Sequence, residues 1–294
     1  MVTPLVSDGD GLGAWLKCDQ LLPTGSFKDR GAAVLVALAI QHGVKRIIVD
    51  SSGNAGAAIA AHAARAGIDC EIFVPDSTSE KKIEQIRAMG ASVRLVPGSR
   101  DKAETAAMKE VRATGSFYAS HALNSHFHHG IKTWSFEVLD QLGEEPGTVV
   151  VPVGNGSLLL GVVLGFRELF QQGLIRKLPR IIAVQTRTHS TLGFEETRTF
   201  EGETLDRSLA EGVAVPVPAR RKQIRQALVD TNGLVAIVSD DAILNAQREL
   251  GNRGFYVEST GALAWAGYRA ICQVEQLTTP VVVALTGSGF KTAK

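Results

Sequence analysis

The sequence predicts an α/β fold: two lobes, each a three-layer αβα sandwich on a mostly parallel sheet. Three observations carry that expectation. Short apolar, β-branched runs stand at 46–50, 71–75, 92–96, 149–153, 181–185 and 281–285, each followed by a Gly or Ser turn and then an Ala- or Leu-rich helical pattern. Strands that are apolar throughout, rather than alternating, belong to parallel sheets covered by helices on both faces. The length of 294 residues allows one large or two medium domains that bury a core without metal or disulfide staples, and 45% hydrophobic against 21% charged residues matches a globular enzyme.

In chain order the helical patterns read as 29–42, 55–66, 79–89, 102–113, 131–142, 158–172, 239–250 and 261–276. The least periodic stretch, 186–220, mixes Gly, Thr, Pro and charge, and is expected to form active-site or interface loops. No internal repeat is visible, and the lobes are expected at 1–138 and 139–294. The 19 residues 148–166 carry no charge, nearly enough to span a bilayer. Pro152, Gly154, Asn155 and Gly156 interrupt them, so a strand, a Gly loop and a buried helix are expected, and no membrane association. Residues 1–11 lack the basic and then apolar pattern of a secretion signal.

The formal charge of +1 offers no electrostatic case for nucleic acid, which leaves a small-molecule site as the default. Cys18, Cys70 and Cys272 are far apart in sequence and form no C-x-x-C, so a reducing compartment, the cytoplasm, is expected. His121, His126, His128 and His129 look like a metal cluster but lack an H-x-x-x-H pairing with an added carboxylate, so no metal is expected.

Four segments can carry chemistry. In P-T-G-S-F-K-D-R-G (23–31), Ser26 and Asp29 are spaced like a capping box, which puts Lys28 in the first turn of a helix. There the positive end of the dipole disfavours the ammonium and favours the neutral amine that captures a carbonyl. A surface lysine beside an ordinary capped helix is the alternative. In S-S-G-N-A-G (51–56), after a strand, small residues let backbone N–H groups approach an anion and Asn54 can bond a planar ligand's hydroxyl or carboxylate; a tight strand-to-helix turn is the alternative. Gly154, Asn155, Gly156, Ser157 and Leu158 also follow a strand and precede a helix, the setting for a phosphate on successive N–H groups. Leu159 stands where G-x-G-x-x-G needs its third glycine and no G-K-[ST] follows, so a monophosphate fits better than a nucleotide. In T-G-S-G-F-K (286–291), the hydroxyls can face a heteroaromatic nitrogen, or the segment is simply a Gly-rich turn.

Taken in order, these four segments closely resemble the fold-type-II pyridoxal-phosphate enzymes of the tryptophan synthase β-like superfamily, and the threonine synthases in particular. The resemblance runs over nearly the whole chain, including A-R-A-G-I (64–68), G-I-K-T (130–133) and E-S-T-G-A (258–262). It implies pyridoxal 5′-phosphate held as a Schiff base on Lys28, which, once released, shuttles protons as general base and acid. It further implies Asn54 on the ring hydroxyl, Gly154 to Leu158 on the phosphate and Thr286 on the pyridine nitrogen. Ser52, Gly53, Asn124 and Lys132 would meet the substrate. A hydroxyl facing the nitrogen leaves the ring largely uncharged, which suits elimination and replacement at Cβ or Cγ. The implied reaction converts O-phosphohomoserine and water into threonine and phosphate, in a homodimer acting on a small amino acid.

Two features depart from that pattern. In N-S-H-F-H-H-G (124–130) the resembled family usually has an arginine where this chain has Phe127, which weakens the case for a phosphorylated substrate. The stretch L-A-E-G-V-A-V (209–215) looks more like the threonine dehydratase branch. Deamination of serine or threonine, or β-replacement on an activated serine, is therefore the alternative reaction, and a catalytically silent cofactor-binding protein is the non-enzyme reading.

Overall fold

The first two strands, β1 (Leu5–Ser7) and β2 (Ala14–Cys18), join a sheet whose other members come from the second half of the chain. The computed structural model describes residues 1–9 and 13–291 and divides them into two units, Met1–Phe27 with Ile131–Lys294, and Lys28–Gly130. The division expected at 138 and 139 thus differs at both ends. β2 lies parallel to the last strand of the chain, with Ala14 opposite Val281 and Cys18 opposite Leu285, and this pairing draws the first 27 residues into the larger unit.

The smaller unit holds α1 (Lys28–Gln41), β3 (Arg46–Val49), α2 (Asn54–Arg65), β4 (Asp69–Pro75), α3 (Glu80–Ala88), β5 (Ser92–Val96), α4 (Arg100–Thr114) and β6 (Phe117–Tyr118). It ends in α5 (His126–Ile131). Its four strands are parallel, in the order β5-β4-β3-β6. The Ala-rich faces of α1 and α2 pack against each other, with Ala32, Ala39, Ala58, Ala60 and Ala63 fully buried.

The chain then returns to the larger unit through α6 (Thr133–Leu142), β7 (Thr148–Pro152), α7 (Ser157–Gln171), β8 (Arg180–Thr186), β9 (Thr197–Thr199) and α8 (Arg221–Asp230). β10 (Leu234–Val238), α9 (Asp240–Asn252), α10 (Ser259–Cys272) and β11 (Val281–Leu285) complete it. Among the described residues the sheet order is β1-β2-β11-β7-β8-β10-β9, parallel except for β1. One face of it, with Val150, Ile182, Ala236 and Val283, packs on α9 and α10 around the buried rings of Trp265 and Tyr268. The alternate residues Val149, Val151, Ile181 and Val282 are buried too, so helices cover both faces, as the uniformly apolar runs require. The α/β class with mostly parallel sheets is confirmed.

The uncharged stretch resolves into β7, a Gly turn and α7, and among the described residues no helix is long and apolar enough to cross a membrane. β2 was hidden in the sequence by Lys17, whose side chain is fully buried. Its Nζ donates to Thr3 O (2.7 Å), Glu137 Oε2 (2.7 Å) and Gln141 Oε1 (2.8 Å), so a strand carrying a lysine still lies inside the fold. The 186–220 stretch is mostly irregular. Asp240, 2% exposed, organises its second half by accepting from Leu205 N, Ser208 Oγ and Leu209 N at 2.9–3.1 Å.

Candidate active site

In the larger unit, β7 and β11 are parallel neighbours with Val150 opposite Val283, so the 154–157 loop and the Thr286 turn leave the sheet at the same carboxyl edge. That edge is where open parallel sheets bind ligands. Gly154 lies so close to the 211–213 turn that a Cβ there would sit 2.8 Å from Val213 Cα. Gly156 is the N-cap of α7 at φ +77°, a conformation that disfavours any side chain. α7 is 15 residues long, and the N–H groups of a helix's first turn are not used in its own ladder and favour an anion. Ser157 and Leu158 are buried and Asn155 is half-buried. Behind the loop, Thr260 Oγ1 accepts the Gly212 N–H at 3.2 Å and fixes the turn that Gly154 touches.

The Thr286 turn is the middle strand of a short antiparallel ribbon. Phe27 N donates to Thr286 O (3.0 Å) and Ser288 N to Gly25 O (2.9 Å) on one side; Glu258 N donates to Gly287 O and Gly289 N to Tyr256 O on the other. Phe27, the last residue before α1, is thus hydrogen-bonded to Thr286. A Cβ at Gly287 would collide with the Glu258 carboxylate, which is 8% exposed. Two hydroxyls here, Thr286 Oγ1 and Ser26 Oγ, are buried without a hydrogen-bond partner. Ser26 does not cap α1, contrary to the capping-box spacing: α1 opens at Lys28, and Ser26 is bridged to Gly287 through its backbone.

In the smaller unit, Lys28 is the first residue of α1 and Asn54 the first of α2. Ser51 is buried, Ser52 and Asn54 are half-buried and Gly53 is exposed; Gly53 N reaches Ser51 Oγ at 3.4 Å, and Gly56 leaves room for the Ser51 carbonyl. Lys28 Nζ stands 5.7 Å from the centroid of the Phe127 ring, which is fully buried. Gly31, one turn on, makes space for that ring, because a Cβ there would lie 2.5 Å from its carbons. His121 meets the ring edge-on at 6.1 Å. Burial above all, then the positive charges of Lys28 and Arg100 and the neighbouring His128, holds its imidazole well below the usual histidine range. Asn124 O accepts the Phe127 N–H (3.2 Å), and its Oδ1 accepts the His126 N–H (3.0 Å).

The structure thus groups Lys28, Phe127 and Asn124 in one unit, and Thr286 with residues 154–158 in the other. Lys132 lies on the larger unit with its Nζ bonded to both carboxylate oxygens of Glu168, at 2.8 and 2.9 Å. Its charge is balanced within the helical layer. Among the described residues, no three His, Cys, Asp or Glu side chains gather as a metal site. The sequence left Ser26's buried hydroxyl, Thr260 and Asp240 without a role; only Thr260 had a signal, its place in E-S-T-G-A.

A family model described as pyridoxal-phosphate dependent enzyme matches residues 2–287. A threonine synthase of Mycobacterium bovis is 32% identical over 98% of this chain and 81% of its own length. One of Synechocystis is 32% identical over 96% of this chain and 73% of its own. The crystal structure of an L-serine ammonia-lyase from Rhizomucor miehei superposes with a TM-score of 0.82 over 98% of this chain and 94% of that one, at 24% identity, and so bears on the fold.

Proposed function

The chain belongs to the family of pyridoxal-phosphate dependent enzymes with the type II fold, and from that premise we propose that it is a lyase acting on a small amino acid, most directly a threonine synthase that converts O-phosphohomoserine and water into threonine and phosphate. The observation that carries this reading is the similarity to threonine synthases over nearly the full chain.

The residues fit the cofactor on grounds of their own. The buried Thr286 hydroxyl lacks a partner that a ring nitrogen would supply, and the close approach of Gly154 and the φ of Gly156 leave α7's N-terminus open to a phosphate. Lys28 would hold the cofactor's carbonyl, Asn54 its ring hydroxyl, residues 154–158 its phosphate and Thr286 its nitrogen. Pyridoxal phosphate, when bound, would supply a carbonyl for the substrate amine and a sink for the electron pair left at Cα.

Lys28, with its amine free, would accept the Cα proton at Nζ and return it later. Its place at the positive end of α1 favours the neutral amine this requires. Ser52 and Gly53 would lie near the substrate carboxylate, and Asn124 would also meet the substrate. Thr286 would offer the ring nitrogen a neutral hydroxyl in place of a carboxylate, which suits elimination better than transamination. A homodimer in the cytoplasm accompanies this reading, in keeping with three free thiols.

A second reaction is favoured by one observation. Phe127 places an apolar ring beside Lys28, which suits a neutral side chain such as that of serine or threonine and the release of ammonia. Protein loaded with pyridoxal phosphate, given O-phosphohomoserine, serine, threonine and an activated serine in turn, separates the two. Phosphate release with threonine formed supports the synthase; ammonia from serine or threonine with no phosphate release supports deamination. No product from any of the four overturns the lyase reading.

A further inference from the structure

The residue after Lys28 is a carboxylate that water does not reach. Asp29 is 0% exposed, and its Oδ1 lies 3.2 Å from Nε2 of His62, whose side chain is 13% exposed. Asp29 is the second residue of α1, and His62 sits in the third turn of α2. The contact therefore bridges the two helices whose first residues are Lys28 and Asn54. A buried carboxylate is strongly disfavoured without compensating donors, so this bond is worth more than one at the surface and is directional.

Small side chains let α1 and α2 lie close, but alanine methyls present only shallow ridges and grooves to set the rotation of one helix on the other. A directional hydrogen bond to a buried carboxyl group fixes rotation and translation together. We propose that His62, through Asp29, is a positioning residue that sets the spacing and rotation of the two helix starts, and with them the distance from the Lys28 amine to the Asn54 side chain. His62 touches neither residue and acts only on their geometry. The proposal rests on Lys28 and Asn54 being the cofactor's residues, as proposed above.

The test measures the affinity of cofactor-free protein for pyridoxal phosphate and the pH titration of the Lys28-linked absorbance band, in wild type, His62→Leu and His62→Gln. His62→Leu is expected to lose about tenfold in cofactor affinity and to shift the titration of the band, and His62→Gln, whose amide can still donate to Asp29, to recover most of both. A purely structural role would lower the melting temperature and leave the band's titration in place. Wild-type affinity and titration in His62→Leu, or equal defects in the Leu and Gln variants, overturn the proposal. If His62→Leu does not fold, His62→Asn, whose amide is too short to reach, replaces it, and equal affinities of the Asn and Gln variants overturn it. Borohydride reduction and peptide mapping of the wild type keep the two readings apart. A wild type that fixes no cofactor on Lys28 overturns both, whereas unchanged variants beside a Lys28-linked wild type overturn the tether alone.

Discussion

The ring of Phe127 occupies the space a side chain at Gly31 would take, with its carbons 2.5 Å from that Cβ position. Two effects of opposite sign follow for Gly31→Ala. Alanine gains about 1 kcal/mol of helix propensity over glycine, while a methyl driven into a fully buried ring costs about 1–3 kcal/mol or more through overpacking. With Phe127 present the clash wins, and Gly31→Ala is expected to destabilise in urea unfolding. In a Phe127→Ala background the same change is expected to stabilise. A cycle without that reversal of sign would mean the ring can move aside.

That pair also shows what could be read from the sequence and what could not. The parallel sheets were legible because β7, β8 and β11 are apolar on both faces, and the starts of α2 and α7 because small residues follow a strand. Phe127 was noticed for its chemistry, but its packing on Gly31 depends on how α5 meets α1, which no local pattern encodes. The ribbon joining Phe27, Thr286 and Glu258 was invisible for a similar reason. Its segments are only a few residues long and come from opposite ends of the chain, so they leave no period. Ser26 was misread because a capping box and a bridged, buried serine look identical in sequence.

Thr286→Val should separate cofactor binding from stability. The hydroxyl is 1% exposed and without a partner, so the protein without cofactor bears its desolvation cost. Replacing it by an isosteric methyl is expected to raise the stability of the cofactor-free protein by about 1 kcal/mol. If Thr286 meets the ring nitrogen as proposed, affinity for pyridoxal phosphate should fall several-fold. Calorimetry with and without cofactor measures both, and a variant that loses stability in the cofactor-free form contradicts the assignment.

His121 makes stability depend on pH in a definite direction. Its value in the folded protein lies well below the ordinary 6.5, because burial and the charges of Lys28 and Arg100 oppose a second cation. The unfolded chain therefore binds this proton more readily than the folded one. The contribution to stability is complete above the unfolded value and is lost as pH falls below it. Between about pH 7 and about pH 5 the melting temperature of the wild type is expected to fall more steeply than that of His121→Gln. Parallel slopes would show that His121 gains access to water before unfolding.

Lys17 and Glu137 form a charged pair well removed from water, with side chains 0% and 11% exposed and 2.7 Å apart. Lys17→Met removes this cation from the Glu137 carboxylate and this donor from Gln141 Oε1, while Thr3 O keeps the Gln141 Nε2 donor at 2.8 Å. Breaking a buried pair from one side costs about 3–5 kcal/mol, whereas replacing both partners by apolar groups costs much less. The double variant Lys17→Met/Glu137→Leu is therefore expected to be more stable than Lys17→Met alone, with midpoints read from urea unfolding. The same pair holds the first residues to α6, so Lys17→Met should also speed proteolysis of residues 1–9. Additive losses in the double variant would place the stabilisation in packing of the lysine stem and not in its charge.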